Sequence, residues 1–253
     1  MIKKIKVIGL IPSRLKSKRL PFKPLLPIND IPLIIHTYKR AKMSKLLDDV
    51  IICCDDKKIL NIARKFNAKS ILTSTYHSNG TERIFEAYYK IKKKYDFIIN
   101  IYGDEPLISP AHIDQVINYH FKNLDADIIL PYFNIKNVGN SNIVKLVINN
   151  NKELMYLSRA NIPFEFLSKT KFIKKHLSIL SFKPSALEKF AKHPRTKLEI
   201  IEDIETLRAL EIGLKVKTLK LKGDSFSIDV AEDYNKATLR MPSDRYFKFY
   251  KKI

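Results

Sequence analysis

Short apolar runs and amphipathic stretches alternate through the first half of the chain, and this alternation is what most restricts the fold. β-Branched and aliphatic residues mark the predicted strands, and each strand is followed by apolar residues at helical spacing. Such an alternation favours a mostly parallel sheet with helices on both faces. The strands are predicted near 3–11, 49–54, 68–73 and 97–101, and the helices near 31–43, 56–66, 80–94 and 110–124.

The second half departs from this pattern. Asn and Gly turn signals separate three short strand-like runs, at 126–134, 142–149 and 153–158, which indicates antiparallel pairing. Two helices near 184–192 and 197–212, a strand near 215–221 and a helix near 231–239 follow. The sequence therefore predicts one domain over 1–253, a three-layer α/β/α fold with a mostly parallel sheet and a small antiparallel lobe at about 126–183.

The formal net charge of +21 raises the alternative of nucleic-acid binding, because Lys and Arg neutralise phosphates. Lysine is spread along the whole chain, however, and neither an aromatic RNP strand nor zinc-ligand spacing occurs. The charge is interpreted as a solvated surface that steers small anions. A basic, non-catalytic nucleic-acid-binding protein is kept as the remote alternative.

Several features bear on location. No apolar run reaches the length of a membrane span, and the first apolar segment, which ends at Pro12, is too short for a signal sequence. The only two cysteines, Cys53 and Cys54, are adjacent in a predicted strand, so their side chains point to opposite faces and cannot form an ordinary disulfide. No membrane association and a cytoplasmic location are expected. The basic, aromatic end at 240–253 is either a tail that docks on a neighbour or a frayed end.

A loop crowded with positive charge follows the first predicted strand. It contains Arg14, Arg19 and Lys23 next to Ser13, and prolines beginning with Pro12 would stiffen it. The spacing fits neither a Walker loop nor a dinucleotide fingerprint. Without glycine amides, side-chain cations would have to hold the phosphates. The loop is predicted to bind phosphate, with a solvated basic loop as the alternative.

Carboxylates follow two other apolar segments. Asp104 comes just after the strand that ends at Ile101, and Asp229 follows the segment that ends at Ile228. Mg²⁺ prefers oxygen ligands and is typically held by one or two carboxylates together with substrate phosphates. Asp104 and Asp229 are therefore candidate Mg²⁺ ligands, with a capping role for each as the alternative.

Three further segments are candidates for binding. The turn at Gly80 to Arg83 opens a helix whose free amides could meet an anion, or it is simply a capped helix with an exposed Arg83. Arg159 follows a predicted strand and could bind a carboxylate bidentately or form a surface salt bridge. His176 is a lone histidine that, by itself, is expected to be structural.

Together these segments resemble the 3-deoxy-manno-octulosonate cytidylyltransferase (CMP-Kdo synthetase) family over nearly the whole chain. The resemblance implies a Rossmann-like, GT-A-like nucleotidyltransferase fold and a homodimer, with the antiparallel lobe as a plausible interface. The matching motifs are Pro12-x-Arg14, Arg19 to Leu25, Gly80 to Arg83, Gly103 to Pro106, Asn142-x-Val144-Lys145, Tyr156 to Pro163, Leu198 to Arg208 and Ile228-Asp229-x-x-Glu232-Asp233.

The resemblance implies that CTP and a 2-keto-3-deoxy sugar acid react to give a CMP-sugar and pyrophosphate, with Mg²⁺, for lipopolysaccharide or capsule synthesis. It implies that Arg14, Lys23, Asp104 and Asp229 are catalytic and that the two aspartates hold Mg²⁺. The implied nucleotide-binding residues are Pro12, Ser13, Arg14, Arg19, Lys23, Thr73, Gly80, Arg83, Tyr102 and Asp104. The implied sugar-binding residues are Arg159, His176, Glu202 and Thr206.

Several positions depart from the family pattern, mostly where the sugar should bind. Phe22 replaces the Gly before the loop lysine, and Tyr102 replaces the Gln before Gly-Asp-Glu-Pro. Ser178 and Ser181 replace glycines, Leu180 replaces the Tyr between them, and Thr206 replaces a Gln. These changes are expected to alter hydrogen bonding to sugar hydroxyls. Kdo is the leading substrate hypothesis, and an amino-Kdo or another ulosonic acid is the alternative.

Overall fold

The computed structural model describes residues 5–17, 19–136 and 139–251. It divides into two compact units, of which the first comprises Met1–Gln115 with Ser225–Ile253 and the second comprises Val116–Asp224. The strands are β1 (Val7–Ser13), β2 (Pro27–Ile28), β3 (Ile31–Pro32), β4 (Asp49–Cys54), β5 (Ser70–Leu72), β6 (Phe97–Ile101), β7 (Ile128–Ile135), β8 (Lys145–Ile148), β9 (Leu154–Ser158), β10 (Ile173–His176), β11 (Ile179–Phe182) and β12 (Val216–Lys220). The helices are α1 (Leu33–Ala41), α2 (Lys57–Lys65), α3 (Gly80–Ile91), α4 (Pro110–Lys122), α5 (Pro184–Lys192), α6 (Lys197–Glu202), α7 (Thr206–Glu211) and α8 (Ala231–Arg240).

A parallel sheet forms the centre of the first unit. Strand β1 pairs in parallel with β4 and β6, and β4 pairs in parallel with β5, which gives the order β5-β4-β1-β6. Strands β1, β4 and β6 are largely buried, as their near-continuous apolar composition predicts, and Ile8, Leu10, Ile52 and Ile99 are fully inaccessible. The predicted α/β architecture is confirmed. The strand predicted at 3–11 is observed from Val7 to Ser13, and residues 3 and 4 lie outside the described residues.

The second unit contains the predicted antiparallel pairing. Strand β7 pairs antiparallel with β10 and β11, β8 pairs antiparallel with β10 and β9, and β12 runs parallel to β7. The sequence pattern did not predict strands β10 and β11, which are only four residues each and are separated by the buried Leu177 and Ser178. Apolar side chains such as Leu157, Phe182 and Phe190 form the core of this unit.

The helix predicted over 197–212 is wrong in one respect, since it is broken into α6 and α7. Asp203, directly after α6, has φ 51° and ψ 46°, and this left-handed conformation ends the helix. Asp is one of the few residue types that adopt this conformation readily. The helical apolar spacing continues across the break, so the spacing alone does not reveal it. A buried ion pair joins the two short helices, with Arg208 Nε 2.7 Å from Glu199 Oε2 and Arg208 Nη2 2.7 Å from Glu199 Oε1.

The basic, aromatic segment up to residue 251 packs on α1 of its own unit, so the alternative of a frayed end is wrong for these residues; residues 252 and 253 lie outside the described residues. The Tyr250 hydroxyl lies 3.0 Å from His36 Nδ1 and accepts a hydrogen bond from Arg40 Nε at 3.2 Å. Arg40 is fully buried, pairs with Asp244 and donates to the carbonyl of Ile108 at 3.1 Å. Burial lowers the pKa of His36 to about 4.

Both cysteines are free and buried in β4, as the strand geometry predicts. Burial raises the pKa of both thiols, that of Cys54 to about 11, so neither is ionised at neutral pH. Among the described residues, none of the helices has both the length and the apolar character that crossing a membrane requires.

Candidate active site

The basic loop after β1 is anchored by a carboxylate at the end of β4. The amide of Leu15 donates to Asp55 Oδ1 at 2.9 Å, and Arg83 Nη2 lies 3.4 Å from Asp55 Oδ2. Sequence reasoning missed Asp55, although the available signal was the one that identified Asp104, an aspartate directly beyond an apolar strand. Asp55 thus holds the chain next to Arg14 at the carboxyl edge of the sheet, where open α/β folds bind ligands.

Lys23 joins the two predicted metal ligands. Its Nζ donates to Asp104 Oδ2 at 2.9 Å and to the carbonyl of Ile228 at 2.8 Å, and it lies 3.7 Å from Asp229 Oδ1. Arg19 Nη2 donates to the same Asp229 oxygen at 2.8 Å. The structure therefore brings together four of the predicted residues, the cations Arg19 and Lys23 and the carboxylates Asp104 and Asp229.

The alternative in which Asp229 caps the last helix is wrong. The N-cap position of α8 is Val230, and the carboxylate that satisfies the helix start belongs to Asp233. Asp233 Oδ2 accepts from the amides of Asp229 at 3.0 Å and Val230 at 3.2 Å. The Asp229 carboxylate is thereby left to face Lys23 and Arg19.

The residues present fit a magnesium ion. Asp104 Oδ1 is buried and accepts no hydrogen bond within the described part of the chain, which costs roughly 1–3 kcal/mol unless another group compensates. The described residues contain no group of three or more His, Cys, Asp or Glu side chains that could hold a metal. A two-carboxylate site is what Mg²⁺ uses when water and substrate phosphates complete its shell.

Two glycines pack tightly against the end of β1. A Cβ on Gly103 would lie 2.6 Å from the carbonyl oxygen of Pro12, and a Cβ on Gly80 would lie 3.1 Å from Pro12 Cγ. Any side chain at Gly103 would therefore push the Asp104 loop away from β1. Helix α3 begins at Gly80, and Asn79 caps it by accepting from the amide of Glu82 at 2.9 Å.

The other predicted nucleotide-side residues fall into two groups. Arg14 is exposed and forms no ion pair with the described residues, so its guanidinium is available to an anion, whereas Ser13 is buried beside it. Arg83 is buried and donates to Thr73 Oγ1 at 2.8 Å, which makes the interpretation of an exposed Arg83 wrong. Tyr102 is half-buried. Arg83 and Thr73 thus support the loop after β5, and their contact with a nucleotide stays a prediction.

The second unit holds the predicted sugar-side residues, and two of them bind each other. Glu202 accepts from the amide of Arg159 at 2.9 Å and from Ser158 Oγ at 2.6 Å. Arg159 in turn donates to the carbonyls of Glu202 at 2.8 Å, Asp203 at 3.0 Å and Ser141 at 3.2 Å. The Arg159 side chain keeps 35% exposure, and its ion pair with Asp203 is long at 3.9 Å. A simple surface salt bridge therefore does not describe Arg159.

A buried lysine that the sequence placed in a motif but not in the site supports Arg159. Lys145 is 1% exposed and donates to the carbonyls of Arg159 at 2.6 Å and Asn140 at 2.7 Å. Burial lowers the pKa of Lys145, and the charge of Arg159 acts in the same direction. Lys145 and Glu202 thus fix the backbone on both sides of Arg159.

His176 and Thr206 complete the predicted sugar-side set. Burial lowers the pKa of His176 to about 4, and the charge of Lys175 adds to this effect, so the imidazole is neutral at pH 7. Thr206 is 3% exposed at the start of α7. Its hydroxyl has no hydrogen-bond partner inside the described ranges.

Ser181, one of the departures from the family pattern, lies in the core of the second unit. The Ser181 hydroxyl is fully buried and lies 2.6 Å from His120 Nδ1, while Leu180 is 1% exposed. Burial lowers the pKa of His120 to about 4. The Ser181 hydroxyl is therefore engaged by a core histidine.

Comparison with known proteins assigns the architecture to a family. A family model described as Cytidylyltransferase matches residues 8–218. A 3-deoxy-manno-octulosonate cytidylyltransferase from Thermodesulfovibrio yellowstonii is 40% identical over 241 residues, covering 89% of this chain and 94% of that protein. An 8-amino-3,8-dideoxy-manno-octulosonate cytidylyltransferase from Shewanella halifaxensis is 37% identical over 240 residues, covering 93% and 98%.

A solved structure shows the same fold over nearly the whole length. It is the CMP:2-keto-3-deoxy-manno-octonic acid synthetase in complex with CTP, which matches with a TM-score of 0.87 and 27% identity. The match covers 94% of this chain and 99% of that one.

Proposed function

Because this chain belongs to the cytidylyltransferase family and is a nucleotidyltransferase of the CMP-Kdo synthetase type, we propose that it transfers the cytidylyl group of CTP to 3-deoxy-manno-octulosonate (Kdo). The anomeric hydroxyl oxygen forms a bond to the α-phosphorus of CTP, and the bond from that phosphorus to the bridging β-phosphate oxygen breaks. The hydroxyl proton is released, and the products are CMP-Kdo and pyrophosphate.

The observation that carries this proposal is the group formed by Lys23, Asp104 and Asp229. Lys23 Nζ neutralises both carboxylates, at 2.9 and 3.7 Å, while Asp104 Oδ1 keeps a buried acceptor without a hydrogen-bond partner among the described residues. Asp104 and Asp229 would hold Mg²⁺. When bound there, Mg²⁺ supplies charge neutralisation at the phosphates and lowers the pKa of the attacking hydroxyl.

The cations of the basic loop stabilise the charge that develops on the phosphates. Arg14 is exposed and has no ion pair with the described residues, so it can bind phosphate oxygens without breaking an existing contact. Lys23 is largely buried, with 16% side-chain exposure, and is held in place by the carbonyl of Ile228. A fixed charge in a partly dehydrated site costs little reorganisation when charge develops, which is the main source of electrostatic catalysis.

On the acceptor side we assign carboxylate recognition to Arg159. Its side chain keeps 35% exposure, three backbone carbonyls accept hydrogen bonds from its guanidinium, and the Glu202 carboxylate accepts one from its backbone amide. His176 is neutral at pH 7, so it can donate or accept a hydrogen bond but does not supply a positive charge. Arg159 is therefore the better partner for an acidic sugar.

The second candidate substrate is the 8-amino sugar acid. Relatives named 8-amino-3,8-dideoxy-manno-octulosonate cytidylyltransferase are about as similar to this chain as relatives named for Kdo, at 37% and 36–40% identity respectively. Tyr102 and Thr206 depart from the family pattern, and they remain positions at which the acceptor could be distinguished.

The test is pyrophosphate release from CTP and Mg²⁺ with each sugar acid in turn. Turnover with Kdo and not with the 8-amino form supports the leading proposal, and the reverse result supports the second candidate. Absence of turnover with any sugar acid, together with no CTP-dependent rise in melting temperature, overturns both. Salt-sensitive binding of RNA or DNA in that case would favour the nucleic-acid alternative.

We also propose a homodimer formed through the antiparallel lobe. Phe164, Phe166 and Leu167 are 82–93% exposed there, and clustered apolar side chains of this kind mark association surfaces. Light scattering of a Leu167→Lys variant tests this, with a loss of dimer expected and an unchanged mass contradicting it. Use of the CMP-sugar in lipopolysaccharide or capsule synthesis and a cytoplasmic location stay predictions.

A further inference from the structure

Next to Asp104 lies a buried carboxylate that the proposed chemistry does not use. Glu105 is 1% exposed, and a buried carboxylate is tolerated only when hydrogen-bond donors compensate for the lost water. Two hydroxyl donors reach it from a segment 120 to 122 residues later in the sequence. Ser225 Oγ donates to Glu105 Oε2, and Ser227 Oγ lies 3.4 Å from Glu105 Oε1.

These contacts reach the segment that carries Asp229. The amide of Ile228 donates to the carbonyl of Asp104 at 2.9 Å, so the two carboxylate-bearing segments are also joined through their backbones. Ser225 and Ser227 lie four and two residues before Asp229 in the sequence. The Glu105 carboxylate therefore binds the side chains of Ser225 and Ser227, directly before Ile228, whose amide binds the Asp104 carbonyl.

We propose that Glu105 is a positioning residue that sets the separation of Asp104 and Asp229 and thereby the affinity of the site for a divalent cation. This inference rests on the proposed function, because it concerns the same pair of carboxylates. Glu105 is assigned no contact with substrate or metal. Its effect passes through Ser225, Ser227 and the backbone to Asp229, in the way that outer-shell groups orient metal ligands in other proteins.

The first test compares Glu105→Gln with the control Glu232→Gln. Glu232 is an exposed carboxylate on α8, so the control makes the same change of charge close to Asp229 without touching Ser225 or Ser227. The concentration of Mg²⁺ that gives half-maximal rate is measured at saturating CTP and sugar acid. Loss of outer-shell support typically weakens a metal site 10–100-fold, so a rise of about tenfold is expected for Glu105→Gln and a change of less than about twofold for the control.

The kinetic pattern separates positioning from general damage. At saturating Mg²⁺, the KM for CTP in Glu105→Gln is expected to stay within about twofold of the wild type, because the basic loop is untouched. Equal changes in the Mg²⁺ requirement and in the KM for CTP would overturn the proposal. An unchanged Mg²⁺ requirement would also overturn it. A milder variant, Ser227→Ala, removes one donor from a half-buried position and is expected to raise the Mg²⁺ requirement about threefold.

A readout independent of turnover completes the test. Hydrogen exchange of peptides that cover residues 225–230 is expected to be faster in Glu105→Gln and unchanged in Glu232→Gln, and equal exchange in all three proteins would overturn the positioning role. Calorimetric titration with Mn²⁺ alone gives metal affinity without any reaction, and weaker Mn²⁺ binding is expected for Glu105→Gln. If the wild type releases no pyrophosphate, the proposed function fails, while exchange and Mn²⁺ binding still decide the role of Glu105.

Discussion

The residues proposed to bind the nucleotide, in the first unit, and those proposed to bind the acceptor, in the second unit, differ in how far their charges are already paired. In the first unit, charges at strand ends are left incompletely paired: Asp104 Oδ1 has no hydrogen-bond partner among the described residues, and Arg14 is exposed. In the second unit, Arg159 and Glu202 are engaged with each other and with backbone carbonyls. The incompletely paired charges of the first unit suit a highly charged ligand that binds together with a cation. The paired charges of the second unit suit a ligand that contacts only the exposed part of Arg159.

This difference predicts that the most damaging substitution lies in the first unit. Asp104→Asn removes a proposed Mg²⁺ ligand and the charged partner of Lys23, and turnover is expected to fall on the order of 10³-fold. The fold is expected to persist, because the Asp104 side chain is 26% exposed and Asn has nearly the same volume. Steady-state pyrophosphate release and the far-UV circular dichroism spectrum measure the two effects.

Asp30→Asn is the matched control for this substitution. Asp30 is an exposed aspartate of the same unit with φ 68°, a conformation that Asn adopts equally well. The control is expected to keep wild-type turnover. Activity of Asp104→Asn within tenfold of the wild type would remove Asp104 from the metal site.

The acceptor side is expected to respond selectively. Arg159→Ala removes the guanidinium proposed to bind the sugar carboxylate, so the KM for the sugar acid is expected to rise on the order of 10- to 100-fold while that for CTP changes less than about twofold. Initial rates with each substrate varied in turn provide the measurement. Arg195→Ala is the control, because Arg195 is an exposed arginine of the same unit with long contacts to Glu199 and Asp203. Equal rises in both KM values for Arg159→Ala would contradict the assignment of Arg159 to the sugar carboxylate.

Local sequence order predicted the parallel strands of the first unit and the carboxylates of Asp104 and Asp229, because strand ends, turn residues and helix spacing are properties of short segments. It also predicted that Asp104 and Asp229 would serve together, although 125 positions separate them, because each follows an apolar segment and Mg²⁺ is typically held by such carboxylates. It could not predict the contacts of Glu105 with Ser225 or of Leu15 with Asp55. Those contacts depend on which loops the folded sheet brings together, and the spacing of apolar residues along the sequence does not predict this.

The break at Asp203 and the docking of the chain end show the same limit. Apolar spacing continues through 197–212, so only the backbone conformation of Asp203 reveals that the helix stops there. The end at 240–253 has a composition typical of a surface tail. Tyr250 is buried nonetheless, because α1 offers it two polar partners, His36 and Arg40. Such complementarity is a property of the tertiary structure and not of either segment.

Three neutral histidines, His36 in the first unit and His120 and His176 in the second, are expected to make stability depend on pH. Burial lowers their pKa values from 6.5 to about 4. Below pH 6.5 the unfolded chain binds protons that the folded chain does not, so the free energy of unfolding falls as pH decreases towards 4 and is insensitive to these groups above 6.5. At pH 5 the expected loss is about 2 kcal/mol for each histidine.

Urea unfolding at pH 7.5 and pH 5 measures this loss, and a His36→Gln variant separates the two units. The variant is expected to keep only the share of the pH dependence that comes from His120 and His176. The same pH dependence in His36→Gln as in the wild type would show that His36 does not titrate on unfolding.

The smallest expected effect concerns Phe22, which replaces a glycine of the family pattern inside the basic loop. Phe22 has φ 56° and ψ 24°, a left-handed conformation that costs a residue with a Cβ about 1–2 kcal/mol, and its ring is 52% exposed with Lys58 Nζ 5.3 Å from the ring centre. Phe22→Gly relieves the strain but loses the cation–π contact and makes the unfolded chain more flexible, so these terms nearly cancel. Phe22→Ala keeps the strain and also loses the ring. The Gly variant is therefore expected to be about 1 kcal/mol more stable than the Ala variant in urea unfolding, with the wild type close to the Gly variant. Equal stability of the Gly and Ala variants would mean that this position is not strained and that the loop before Lys23 tolerates a side chain without cost.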